Sequence, residues 1–315
     1  MSYLKKHAKA IKFVAKIILS VAALYYVFSK IDIEQTFVAI KGINGGLLLL
    51  SILIYAISQV VSAFRLNTFY RYVPVKISTV VNMKLYWMGM FYNLFLPGGI
   101  GGDGYKVYLI NRYYHTSIKR LVGTVLADRL SGLSVILVYL CALVYFIDYD
   151  LSVVAVPEGG IKIIHDLLRW VNPFLTYFIL LIPFIVVGYF IYLRLFSRHL
   201  TGATWKVLTL SIVIQGLQMI SAIIILKSMG TELVGRQDDY LFLFLLSSVM
   251  SAIPISLGGL GLREVTFMFG SQYLGLNQDH AVAMSLLFYF ISLFVSVFGG
   301  YYAYQPKTIF AEKLT

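Results

Sequence analysis

Five charged residues stand in or beside apolar stretches of this sequence: Asp103, Asp128, Arg129, Arg263 and Glu264. A charge at the bilayer centre costs about 2.5–3.5 kcal/mol on the insertion scale, so each is a functional candidate by default. Three of them follow glycine clusters. The first cluster reads Leu96-Pro97-Gly98-Gly99-Ile100-Gly101-Gly102-Asp103. The second reads Pro254-Ile255-Ser256-Leu257-Gly258-Gly259-Leu260-Gly261-Leu262-Arg263-Glu264. Both contain Gly-Gly-[Ile/Leu]-Gly, 160 positions apart. Glycine lets a chain turn at positive φ and lets another group come close to the backbone. Amides at a new helix start attract anions, and guanidinium binds phosphate in two-pronged fashion. The chemistry is that of a phosphate cradle. The candidate substrate-binding set is Gly98, Gly99, Gly101, Gly102, Asp103, Asp128, Arg129, Gly258, Gly259, Gly261, Arg263 and Glu264. Arg65, Asn93 and Lys106 are secondary candidates.

Plainer readings compete. A glycine cluster also makes a tight turn between short helices. Asp128 and Arg129 are adjacent, so their side chains diverge by about 100° on a helix and need different partners. Arg129 would face Asp103 or a lipid phosphate. The Asp128-Arg129 and Arg263-Glu264 pairs could instead fix helix packing. Arg65 closes a span and is read first as snorkelling to the cytoplasmic headgroups. Asn93, Gln59, Gln215 and Gln218 are read as interhelical hydrogen-bonding groups. Gly99 to Gly104 formally matches G-x-G-x-x-G, but a dinucleotide fingerprint needs a preceding strand and a βαβ unit, and an aromatic membrane segment stands there. His7, His115, His165, His199 and His280 fall in loops or termini, and Cys141 is the lone cysteine. No metal and no cofactor are expected.

These residues must be held by membrane helices. The chain has 315 residues, 59% hydrophobic and 13% charged, with a mean hydropathy of +0.82. Soluble domains carry about 25% charged residues, so an ordinary soluble enzyme and a disordered chain are both excluded. A span needs about 20 mainly apolar residues. Six stretches qualify: Ile11–Phe28, Leu47–Phe64, Leu121–Ile147, Pro173–Leu193, Val207–Leu226 and Ala281–Tyr304. Leu85–Leu96 and Tyr240–Ile253 are shorter and end at the two breaks. The predicted fold is an all-α polytopic membrane protein. It has six full spans plus two re-entrant broken-helix hairpins, eight helical hydrophobic segments in all. Residues 1–315 form a single integral membrane domain, with pseudo-repeat halves 1–150 and 170–315 linked by 148–172.

The net charge of +12 is an orientation signal. With the N-terminus inside, five inner segments (the N-terminus, Arg65–Lys84, Lys106–Arg120, Arg194–Lys206 and the C-terminus) hold 18 of the 26 basic residues, whereas outer segments hold six basic residues and ten acids. This is the positive-inside pattern, with both termini cytoplasmic, and nucleic acid is not needed to explain the charge. Each half runs two spans, a broken hairpin and one span. Three full spans per half invert the second half. An inverted repeat with interrupted helices is the architecture of secondary transporters, with the site near the midplane.

The run Asn93 to Gly104, then Asp128-Arg129-Leu130, then Gly258 to Glu264 resembles the lysylphosphatidylglycerol synthase transmembrane, or flippase-like, family. The resemblance covers most of the chain. It implies a membrane domain that moves a modified phospholipid between leaflets, and related members are linked to polyprenyl-phosphate sugar lipids. The full synthase carries a soluble aminoacyltransferase domain after its membrane part. Here only Gln305–Thr315 follows the last span, so translocation is expected without synthesis. The expected function is a lipid translocase, not an enzyme, in a bacterial or archaeal plasma membrane. Its partners would be a phospholipid or polyprenyl-phosphate lipid and, as a candidate, a lipid-synthesising enzyme. A membrane-embedded lipid glycosyl- or phosphotransferase and a small-solute or ion transporter are the alternatives.

Overall fold

The computed structural model describes residues 40–95, 101–146, 172–253 and 261–313, together with residues 18, 21, 24–29, 34 and 166. All regular structure among them is helical, and five helices are long and apolar enough to cross a membrane. The protein is an integral membrane protein. The five coincide with the second to sixth expected spans. The first, Ile11–Phe28, lies mostly outside the described residues, although residues 24–29 are helical, with Tyr26 against the ring of Phe269.

The first set of helices is α1 (Gly45–Tyr70), α2 (Thr79–Phe95), α3 (Gly101–Tyr114) and α4 (Ile118–Phe146). A 3-10 segment, Asn172–Leu181, leads into the peripheral α5 (Ile182–Phe196). The second set is α6 (Thr204–Ser228), α7 (Gln237–Ala252), α8 (Leu262–Tyr273) and α9 (Gln278–Val297). A short α10 (Gly300–Tyr304) and a 3-10 segment (Pro306–Lys313) close the chain. The two sets match in order, and their first three helices match in length, 26, 17 and 14 residues against 25, 16 and 12; the fourth runs 29 residues in one and 20 in the other. Their starts at 45, 79, 101 and 118 recur at 204, 237, 262 and 278.

Within the segment Lys106–Arg120, residues 106–114 are the body of α3, and Lys106 is buried. The arm after each break is a helix too polar to register as an apolar stretch. At 1.5 Å per residue, α3 and α8 span about 21 and 18 Å, well short of a hydrocarbon core of about 30 Å.

Helices α1 and α6 pack antiparallel at the centre. Asn44 starts α1, accepting from the Leu47 amide at 3.1 Å, while its own amide donates to the Ser228 carbonyl at 2.8 Å. Further along, the Ser51 and Ser221 hydroxyls each donate to the other residue's carbonyl at 3.1 Å. At the far end Arg65 meets Ser211. Small polar residues let helix backbones approach where lipid offers no hydrophobic drive for association. The hairpins are cross-braced: α2 packs on α9, and α7 packs on α4. The Trp87 indole donates to the Val295 carbonyl at 3.2 Å. Inside the first hairpin, a side chain at Gly102 would collide with the Gly89 carbonyl, so the α2–α3 approach requires glycine there. Two apolar clusters result. One surrounds Phe244, Phe267 and Phe288; the other surrounds Phe69, Leu85, Ile110 and Leu121 and includes Ile309 and Phe310 from the C-terminal segment. Residues such as Leu53, Phe184 and Phe294 are exposed, as lipid-facing side chains are.

Candidate functional site

Among the described residues, the candidate side chains inside the bundle fall into three groups. In the first, Arg65 on α1 takes the Asp128 carboxylate side-on. Its Nε donates to Oδ1 at 2.8 Å and its Nη2 to Oδ2 at 3.1 Å. The remaining Nη1 donates to the Ser211 hydroxyl at 3.0 Å, and Ser211 donates to Ser131 at 3.3 Å. Glycine at 132 leaves room for the guanidinium, with Nη1 3.2 Å from where a side chain would begin. Arg65 therefore does not snorkel to headgroups. A buried acid about three turns into α4 holds it inside, since a charge in low dielectric needs a paired and hydrogen-bonded partner.

In the second group, Asp103 in the first turn of α3 holds two cations. Lys106 Nζ lies 2.6 Å from Oδ1, and Arg129 Nε lies 2.5 Å from Oδ2. Lys106 is buried under Tyr86, with Nζ 5.1 Å from the ring centroid, whereas the Arg129 side chain is 39% exposed. The divergence of Asp128 and Arg129 is observed: one binds α1, the other α3. Asn93 bridges the hairpin, its carbonyl oxygen accepting the Gly102 amide at 2.8 Å.

In the third group, Gly261 takes φ +90 and precedes α8. Glu264 reaches back, Oε2 accepting the Gly261 amide at 2.7 Å, while Oε1 accepts the Ser285 hydroxyl of α9 at 3.0 Å. Glu264 is a fully buried helix cap. Arg263 points elsewhere. Its guanidinium lies over Phe288 at 4.7 Å and Phe244 at 5.8 Å. Its Nε and Nη2 are buried and have no acceptor among the described residues.

The amides of Gly102 and Gly261 are thus engaged within the protein, so the expected cradle of free amides does not extend to them. Gly101 is the first residue of α3. Gly98, Gly99, Gly258 and Gly259 lie outside the described residues. Helices α3 and α8 pack against their own neighbours, α2 and α4 for one, α7 and α9 for the other. Tyrosines border the groups: Tyr86 lies against Lys106, and Tyr55 meets Phe288, the ring under Arg263, edge-on at 5.2 Å. The Tyr55 hydroxyl donates to Ser292 at 2.8 Å.

Sequence reading missed Ser131, Ser211 and Ser285, the aromatic seat of Arg263, and Tyr55, Tyr70 and Tyr86. Ser131 had a signal, three positions after Asp128 on the same helix face. The others come from distant helices and had none.

A family profile described as the lysylphosphatidylglycerol synthase TM region matches residues 13–300. Among curated proteins, the chain is similar to the UPF0104 membrane protein PH1989 of Pyrococcus horikoshii. The two are 31% identical over 110 residues, a stretch covering 34% of this chain and 33% of that protein. The chain thus spans about a third of the length of the curated relative it matches.

Proposed function

The chain belongs to the lysylphosphatidylglycerol synthase transmembrane family, and from that membership we propose that it is a lipid translocase. It moves a phosphate-bearing headgroup between leaflets while the acyl chains stay in the bilayer. Carrying the headgroup across hydrocarbon is the costly step, because polar groups lose their water. The route offered is the chain of Arg263, Tyr55, Tyr86, the Arg65–Asp128 pair and the Asp103 group.

The observation that carries this reading is the Arg263 edge. Nε and Nη2 are the pair with which Arg65 grips a carboxylate in the same protein. On Arg263 the same edge is buried and empty-handed among the described residues. A buried guanidinium edge without an acceptor is costly, so the native cycle supplies an oxyanion. The matched helix sets support an inverted repeat, and the short α3 and α8 support re-entrant hairpins. Both termini are cytoplasmic in this reading, in a bacterial or archaeal plasma membrane, and a lipid-synthesising enzyme supplies the substrate. Asp103, Asp128 and Glu264 are all bonded to cations or donors. That favours translocation over group transfer, which needs a carboxylate free for acid–base work.

The test is reconstitution in vesicles carrying fluorescent phospholipids in both leaflets, with the outer leaflet bleached by dithionite. Loss of signal beyond the outer-leaflet half, at a rate scaling with protein content, is expected. Bleaching that stops at half, as in protein-free vesicles, would refute the proposal.

A further inference from the structure

The two hairpins are tied at their open ends in different ways. In the second, Arg236 stands just before α7 and closes the end from within. Its Nε donates to Asp239 in the first turn of α7 at 2.6 Å, and its Nη2 donates to the Leu274 carbonyl just past α8. One side chain of the hairpin itself thus fixes both arms. In the first hairpin the arms are bridged by residues from the far end of the chain. Lys84 on α2 donates to the Thr308 carbonyl at 3.4 Å. Phe310 stacks on Tyr113, near the end of α3, at 3.9 Å, with the Tyr114 ring at 6.1 Å.

This bridge is a jointed arm. Helix α9 ends at Val297, and the short α10 restarts at Gly300. The joint rests on α2: a side chain at Gly299 would collide with the Trp87 carbonyl, and one at Gly300 would press on the Phe91 ring. The Trp87 indole in turn holds the Val295 carbonyl. The base of the arm is therefore anchored, while its end is held by less. Ile309 and Phe310 are fully buried, but the Thr308 amide and hydroxyl both bond back to Gln305 within the segment. Among the described residues, the hold of its end on the hairpin rests mainly on those two apolar side chains and the one long lysine bond. A segment held by few buried contacts opens at a small part of the global unfolding free energy.

We propose that Pro306–Lys313 is a releasable strap that gates the first hairpin. Seated, with Phe310 on Tyr113, it holds the α2 and α3 arms together. Lifted about the Gly299-Gly300 joint, it lets the arms part at their open end, and lipid enters only then. Opening of such a lid is a step that can set the turnover rate. The inference rests on the translocase reading for what passes and adds the element that controls the passage.

A reversible bridge tests it. Lys84→Cys with Thr308→Cys, in a Cys141→Ser background, leaves the Phe310–Tyr113 stack in place. A short bis-methanethiosulfonate joins the two thiols, and dithiothreitol releases them. In vesicles the bridged protein should exchange labelled phospholipid at least about tenfold more slowly than the same protein after reduction. Rates within about twofold of each other would overturn the strap. Phe310→Leu gives a second reading without any bridge. It weakens the seat and should speed lipid exchange about threefold or more in protein whose melting in detergent shows it folded. A folded variant with an unchanged or lower rate would also overturn the proposal, because a purely structural tail cannot quicken transport when loosened. If no labelled lipid crosses with the bridge or without it, the translocase reading fails, and amide hydrogen exchange decides the strap. Slower exchange over the last turn of α3 in the bridged protein upholds a strap that opens; equal exchange sinks it.

Discussion

Arg65 and Asp128 meet side-on within the bundle, Nε to Oδ1 at 2.8 Å and Nη2 to Oδ2 at 3.1 Å. The pair ties α1 to α4 and, through Ser211, to α6. It also shows what a satisfied guanidinium edge looks like in this protein, and so what Arg263 lacks among the described residues.

Breaking that pair on one side leaves a buried charge alone. Asp128→Asn should lower the unfolding free energy by about 3–5 kcal/mol. The double variant Arg65→Met with Asp128→Leu should lose clearly less than the two single variants summed, because no charge is stranded. Thermal and denaturant unfolding in detergent read both. Strict additivity would show that the two residues are not a unit.

Gly102 and Gly104 make a matched comparison about half a turn apart, on opposite faces of α3. A side chain at 102 meets the Gly89 backbone, while one at 104 meets nothing within 4 Å. Gly102→Ala should cost about 1–3 kcal/mol through overpacking. Gly104→Ala should be neutral or stabilise by about 0.5–1 kcal/mol, since alanine is the better helix former. Equal melting temperatures for the two variants would contradict the close approach of α2 and α3.

Glu264 acts as a cap that also grips α9. Glu264→Ala should remove about 0.5–2 kcal/mol as a lost cap, and more for the stranded Ser285 hydroxyl. Ser285→Ala, which removes a donor and leaves the cap, should cost less. Hydrogen exchange at the first turn of α8 should rise in the glutamate variant and stay near wild type in the serine variant.

The C-terminal segment is part of the first half's core. Phe310 is fully buried and stacks on Tyr113 at 3.9 Å, and Lys84 donates to the Thr308 carbonyl at 3.4 Å. Phe310→Ala should therefore cost about 3–5 kcal/mol, as for a phenylalanine in any packed core. Limited proteolysis should then reach the tail, which in the wild type it should not. An unchanged melting curve would mean the tail only rests on the surface.

Much of this was legible in the residues. The spans follow from hydrophobic length, and Asp128 and Arg129 had to part because neighbours on a helix point about 100° apart. What was hidden depended on distance in sequence. Arg65 looked like a snorkelling residue because its acid lies 63 positions away. Lys106 was a secondary candidate in a charged inner segment, and its burial was hidden because α3 is too polar for a hydropathy window. The glycines read as open amides, yet Asn93 and Glu264 each fill one. Only packing could reveal that Arg263 lies against Phe288 and Phe244.

The Arg263 edge, which has no acceptor among the described residues, is proposed to carry a lipid phosphate across. The rate of dithionite-accessible lipid exchange in proteoliposomes tests it, with wild type against folded Arg263→Gln at equal protein content. At least about a tenfold lower rate in the variant is expected, the loss of one two-pronged charged contact. Equal rates would contradict the claim.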